Sequence, residues 1–333
     1  MKIAVLGAGG WGTTLSILLY YNGHDVTLWE YKKSYAKILD KSRINHLYLP
    51  GIKIPQEIKI SNNLQETCSD KNIIVIAIPS QHIRDVIKKL DFDSIKNSIL
   101  LSVAKGIEKN TLFTVSQIIL DLFPKINKSQ ISVLSGPSHA EEVVKRIPTA
   151  VVAASKDLET AKTVQVTFMN SYFRVYSSDD LIGVELGGAF KNVIAIGAGI
   201  IDGAGFGDNT KAAIMTRGVA EITRLGLAMG AKPETFAGLS GMGDLIVTCM
   251  SKHSRNRYVG EQIGKGMKLK DVLKKMTMVA EGVETTRSVV RLSEKMKIET
   301  PIANEVYKIL FEDKDPIKAT NDLMTRNMKI ESL

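Results

Sequence analysis

A chain of 333 residues, 44% apolar, 24% charged and 6% aromatic, has the composition of a folded globular protein rather than a disordered tail or a fibre. That length suits two domains and a sizeable buried core. The net charge of +9 is spread along the chain and thickens between Lys252 and Lys275; no nucleic-acid-binding signature and few aromatics accompany it.

Other classes fall away quickly. No run of 18 apolar residues occurs, which argues against a spanning helix. The apolar start MKIAVLGAG breaks at Gly-Gly-Trp-Gly, and no small-residue cleavage site follows, unlike a secretory signal. Cys68 and Cys249 are too few for a disulfide framework or a structural zinc site. The expectation is a cytoplasmic protein with no metal, no nucleic-acid partner and no stable membrane insertion.

In chain order, KIAVLG, DVTLWE, NIIVIAIP, SILLSVAKG, ISVLSGP and TAVVAAS read as strands. The helical patterns TLSILLYYN, SQHIRDVIKKL, TVSQIILDLF and DLETAKTVQVTFM lie between several of them or follow the last. Near-continuous Val/Ile runs separated by helices mean strands buried on both faces, hence a mostly parallel sheet. Beyond about Ser178 only helical patterns remain, punctuated by Gly230 after one helix and Pro316 opening the last. The predicted architecture is a doubly wound α/β domain over residues 1–180 followed by an all-α domain over 181–333.

Gly7, Gly9 and Gly12 stand in G-x-G-x-x-G spacing between the first strand and the first helix. The first glycine permits the tight turn, the second lets a pyrophosphate approach the backbone, and the third lets helix pack on strand. Glu30 ends the second strand, where a dinucleotide fold places a carboxylate on the ribose hydroxyls. Lys105 closes another strand and reads either as a solvated end or as an anion ligand. Gly136 and Pro137 precede Ser138 and Glu141, whose S-x-x-E spacing is that of a capping box; a fresh helix N-terminus also offers N–H groups to an anion.

Lys191 sits inside the apolar stretch VELGGAFKNVIAIGAG. A lysine there is either snorkelling or functional, and Gly187 and Gly188 beside it suggest close approach of a backbone or ligand. Asp244 follows a glycine-rich turn, and Ser254, Arg255, Asn256 and Arg257 bring donors to a helix start, a composition suited to a phosphate. Arg257 also fits a solvated helix face.

GAGGWGTTLS, SVAKGIE, SGPSHAEEV, VELGGAFKNVIAIGAGIIDG, NTKAAIMTRG, GLSGMGDLIVTC, SRNR and VAEGVETT, in this order, resemble the bacterial NAD(P)-dependent glycerol-3-phosphate dehydrogenases over essentially the whole chain. The resemblance implies a Rossmann domain joined to a helical domain of the 6-phosphogluconate-dehydrogenase type. It implies a homodimer that interconverts dihydroxyacetone phosphate and sn-glycerol 3-phosphate with NAD(H) or NADP(H), supplying phospholipid synthesis. It places the cofactor on Gly10, Trp11, Lys105, Ala140, Arg255, Val279 and Glu281. It places the substrate on Lys105, Gly136, Ser138, Lys191, Asp244, Ser254, Arg255 and Asn256, with Lys191 exchanging the proton.

Two departures bear on the cofactor: Gly10 replaces a serine common there, and Tyr31 stands where a basic residue commonly follows the second strand. With Glu30 in place and Lys32 and Lys33 next, a modest preference for NADH is expected. UDP-sugar dehydrogenases need a cysteine nucleophile in a setting Cys249 lacks, and 3-hydroxyacid dehydrogenases need a carboxylate site instead of SRNR. A catalytically inert NAD sensor is the rival of another class; it has no need of Lys105, Lys191 and Asp244 together.

Overall fold

The computed structural model describes residues 1–328 together with 330 and 331. The chain divides into two compact units: residues 1–104 with 115–181, and residues 105–114 with 182–333. The ten-residue segment Lys105–Thr114 therefore belongs with the helices, an arrangement that a single cut near residue 180 does not describe.

In the first unit the strands are β1 (Lys2–Leu6), β2 (Asp25–Trp29), β3 (Ile44–Asn45), β4 (Leu49–Lys53), β5 (Lys59–Ser61), β6 (Ile73–Ile76), β7 (Ile99–Ser102), β8 (Ile131–Ser135), β9 (Thr149–Ser155) and β10 (Phe173–Ser178). Among the described residues, eight of them form one sheet in the order β10-β9-β8-β7-β6-β1-β2-β5. Every pairing is parallel except β8 with β9. Strand β6 is buried along its whole length, IIVI, as a strand covered on both faces must be. The strand order reverses beside β1, so the carboxyl ends of β1 and β6 form the switch point where such sheets bind ligands. The expected mostly parallel sheet is present. The sequence reading passed over the edge strands β5 and β10 and the β3–β4 hairpin, whose short or half-exposed runs give weak apolar patterns.

The second unit is helical, and its core gathers around the helix Leu181–Gly203. That helix is long and apolar enough to cross a membrane by length and composition alone, yet its most apolar stretch is wholly buried in the protein. Such burial is typical of a central core helix. The remaining helices used below are Asp208–Ala228, Asp244–Met250, Arg255–Gly264, Glu281–Met296 and Pro301–Phe311.

Candidate active site

In the first unit, the turn after β1 is shaped by glycine at atomic contact. Gly7 has φ +111°, and a Cβ on it would lie 2.6 Å from the Ala77 carbonyl oxygen. A Cβ on Gly12 would lie 1.9 Å from the Gly7 oxygen, so only glycine lets the helix Gly10–Tyr21 start this close to the strand. A Cβ on Gly9 would meet nothing within 4 Å. The helix has no acidic residue in its first turn and no side-chain cap, so its leading N–H groups are left for an anion. These features fit a dinucleotide pyrophosphate. Asn45, fully buried, props the turn: its Nδ2 donates to Ala8 O and Thr13 Oγ1, both at 2.8 Å, while its Oδ1 accepts from Tyr35 Oη at 2.7 Å. Sequence reasoning missed Asn45 because it lies 37 residues from the loop it supports.

Glu30 lies at the end of β2 and is nearly buried, its Oε1 accepting the Lys32 N–H at 2.9 Å. Burial raises its pKa above the usual carboxylate value, while that amide pulls the other way. Tyr31 is 66% exposed, and Lys32 and Lys33 are exposed at the start of the next helix. Trp11 packs against the unit's core, and Thr14 Oγ1 donates to Ala140 O at 3.4 Å. Gly136 turns the chain after β8 with φ +136°.

The short helix begins at Ala140 with His139 at its cap position, one residue later than the S-x-x-E spacing predicts, and Ser138 Oγ donates to Gly136 O at 2.8 Å. The left-handed Gly136 brings its carbonyl back within reach of Ser138, an effect that residue spacing alone does not reveal.

In the second unit, three charges meet. Asp244, 1% exposed, accepts Lys105 Nζ on Oδ2 and Lys191 Nζ on Oδ1, each at 2.7 Å. Lys191, 5% exposed, also donates to Thr248 Oγ1 at 2.5 Å, and Thr248 in turn donates to Asp244 O at 2.6 Å. Burial lowers the Lys191 pKa to about 8; Asp244 opposes that and Lys105 reinforces it. Burial would raise Asp244, but the two ammoniums outweigh it and hold its carboxyl below the ordinary value. Gly187, one turn before Lys191, lies against backbone: a Cβ there would stand 2.7 Å from Ser240 O.

A second chain of contacts ties these lysines to the SRNR segment. Asn192 Nδ2 donates to Lys105 O at 2.8 Å, and its Oδ1 accepts from Asn256 Nδ2 at 2.8 Å. Asn256 Oδ1 accepts the Gly282 N–H at 2.9 Å, and Glu281 Oε2 accepts the Lys105 N–H at 3.3 Å. Ser254 caps the helix Arg255–Gly264 by accepting the Arg257 N–H at 3.1 Å. Arg255 is exposed at the start of that helix, and Val279 is exposed just ahead of Glu281. Thr248 and Asn192 are functional neighbours that the sequence does not single out. The i,i+4 spacing of Asp244 and Thr248 on one helix was the available signal for the first. Among the described residues, no group of three or more His, Cys, Asp or Glu side chains is placed to hold a metal.

A model described as the N-terminus of NAD-dependent glycerol-3-phosphate dehydrogenase matches residues 2–161, and one described as its C-terminus matches 180–321. A glycerol-3-phosphate dehydrogenase [NAD(P)+] of Thermoanaerobacter sp. is 53% identical over 331 residues, covering 99% of both chains. The chain belongs to this family. A relative of the same name from Chlorobium phaeobacteroides is 51% identical with the same coverage. The crystal structure of glycerol-3-phosphate dehydrogenase from Coxiella burnetii superimposes with a TM-score of 0.92 at 36% identity, covering 98% of this chain and 99% of that one. The Rossmann-type sheet followed by a helical domain is thus a family architecture, with NAD(P) as its cofactor.

Proposed function

We propose that the chain interconverts dihydroxyacetone phosphate and sn-glycerol 3-phosphate with NAD(H) or NADP(H), supplying glycerol 3-phosphate for phospholipid synthesis. The observation that carries this is the Lys105–Asp244–Lys191 cluster, built on a buried carboxylate and a buried ammonium, in a chain of this family. The Gly7–Gly12 turn would hold the dinucleotide, which when bound would supply hydride chemistry at C2 of the substrate. Lys191 gives a proton from Nζ to the C2 oxygen in reduction and takes it back in oxidation. Two of its three ammonium hydrogens are engaged by Asp244 and Thr248, which leaves the third for the substrate. A pKa near 8 suits proton exchange near neutrality better than an ordinary lysine's 10.5. Lys105 adds positive charge where oxygen gains electron density, and Asp244 fixes both ammoniums in place.

In this reading the substrate phosphate is held by Arg255, by Asn256 through its remaining amide hydrogen, and by Ser254 and the helix start, with Gly136 and Ser138 at the other substrate positions. Gly9, Gly10, Trp11, Ala140, Val279 and Glu281 face the cofactor. Glu30 disfavours a 2′-phosphate by a like-charge repulsion of about 1–4 kcal/mol, which Lys32 and Lys33 offset in part, giving NADH a modest advantage. We extend the reading to a cytoplasmic homodimer, for which light scattering should give twice the 36.5 kDa chain mass.

The deciding assay follows NADH and NADPH oxidation with dihydroxyacetone phosphate and with unphosphorylated dihydroxyacetone. Turnover with the phosphate, in excess over its parent by at least about a hundredfold in kcat/KM, is expected, because charge-assisted bonds to the dianion contribute about 1.5–3 kcal/mol each. No oxidation with either ketone would leave the inert-sensor reading standing.

A further inference from the structure

The helix Arg255–Gly264 meets the helix that carries Lys191 almost backbone to backbone. A Cβ on Gly260 would lie 2.0 Å from Ile196 O, and one on Gly264 2.4 Å from Ile200 O. From the other side, a Cβ on Gly199 would lie 2.1 Å from Arg257 O, and one on Gly203 2.1 Å from Glu261 O. Glycine sets how close two helices come, but a face without side chains supplies few knobs to stop one sliding along the other. The register needs another device.

Charge supplies it. Asp202, near the end of the Lys191 helix, accepts Arg257 Nε at 2.8 Å and Nη2 at 2.7 Å on one carboxylate oxygen. Lys211 Nζ, from the helix Asp208–Ala228, reaches both oxygens of the same carboxylate at 2.9 and 2.8 Å. Arg257 Nη1 also reaches Glu261 Oε2 at 3.2 Å. The forked guanidinium contact fixes direction as well as distance, which an ammonium does not. Arg257 lies two residues beyond Arg255, in the same capped first turn, so holding one holds the other.

We propose that Asp202 is a positioning residue for the reaction: through Arg257 it sets the phosphate-binding turn at a fixed distance from Lys191. The inference rests on Arg255 as the phosphate ligand. In this assignment neither Asp202 nor Arg257 is a substrate ligand. Their side chains are only one-fifth exposed and are joined by Lys211 and Glu261, so the network holds one geometry. A reacting group misplaced by about 1 Å loses up to about 10²-fold in rate.

The test compares kcat/KM for dihydroxyacetone phosphate and for dihydroxyacetone in Asp202→Asn, Arg257→Lys and Arg255→Ala. Arg255→Ala should abolish most of the preference for the phosphate. Asp202→Asn and Arg257→Lys should each lower kcat/KM for the phosphate about tenfold and leave dihydroxyacetone within about twofold, since only the phosphate arm has moved. An unchanged preference in both, or equal losses on the two substrates, would overturn the proposal while Arg255→Ala kept the phosphate assignment intact. An unchanged preference in Arg255→Ala would remove that assignment and the positioning role with it. Should Asp202→Asn fail to fold, Arg257→Lys, which keeps a cation beside Asp202, decides alone.

Discussion

The candidate site of the first unit is made of backbone, whereas that of the second is made of side chains. Around Gly7–Gly12, a left-handed turn, a close strand–helix contact and bare helix N–H groups form the cradle, and Asn45 braces it with amide hydrogen bonds. Around Asp244, three charged groups from three separate segments meet, Asp244 and Lys191 buried and Lys105 partly exposed. Backbone geometry tolerates few residue types, so it writes a local motif into the chain. A charge cluster needs only that its members meet, so it is scattered over more than a hundred residues.

Substitutions at the two sites should accordingly fail in different ways, and the largest effect is expected in the second unit. Lys191→Ala should lower kcat about 10²–10⁴-fold while NADH affinity, read by fluorescence titration, is kept. In the native enzyme, reduction needs the protonated amine and should lose rate as pH rises above about 8; oxidation needs the neutral amine and should gain rate up to that point. Identical pH limbs in both directions would separate Lys191 from the proton transfer.

The glycine turn should respond through packing. Gly12→Ala drives a Cβ onto the Gly7 carbonyl and should cost about 1–3 kcal/mol or more, seen as a lowered Tm. Gly9→Ala, whose Cβ meets open space, should leave Tm nearly unchanged and raise KM for NADH. If both variants behaved alike, the distinction between a packing glycine and a ligand-facing glycine would be lost. The smallest effect is expected at Glu30→Ala, a few-fold gain in kcat/KM for NADPH relative to NADH. A native preference for NADPH of tenfold or more would instead bring Lys32 or Lys33 onto the 2′-phosphate.

This contrast also explains what the sequence made legible. The parallel sheet and the glycine turn follow from local periodicity and spacing, and Lys191 stands out because an ammonium within an apolar helix is rare. Asn192 is hidden because its significance lies in a partner 64 residues away, and Thr248 shows only through its i,i+4 spacing to Asp244 while its lysine partner lies 57 residues away. Asp202 looks like an ordinary acidic residue near a helix end until Arg257 is seen against it. Ser138 misled for the opposite reason: its spacing to Glu141 is that of a cap, but the helix starts at Ala140 with His139 at the cap position.

The segment Lys105–Thr114 carries a consequence for how the chain matures. It is synthesised early, yet its anchors come late: Ser288 Oγ donates to Ile107 O, Arg291 to Lys109 O, and Ile107 is buried in the core of the helical unit. On a ribosome, Ile107 waits for some 180 further residues before Ser288 exists to hold it, and non-local closures of that kind are slow. A fragment starting at residue 182 would lack Ile107 and leave a void in its own core. The enzyme's parts are therefore not interchangeable at the seam its chain order suggests, and any graft of the helical unit between relatives has to carry these ten residues with it.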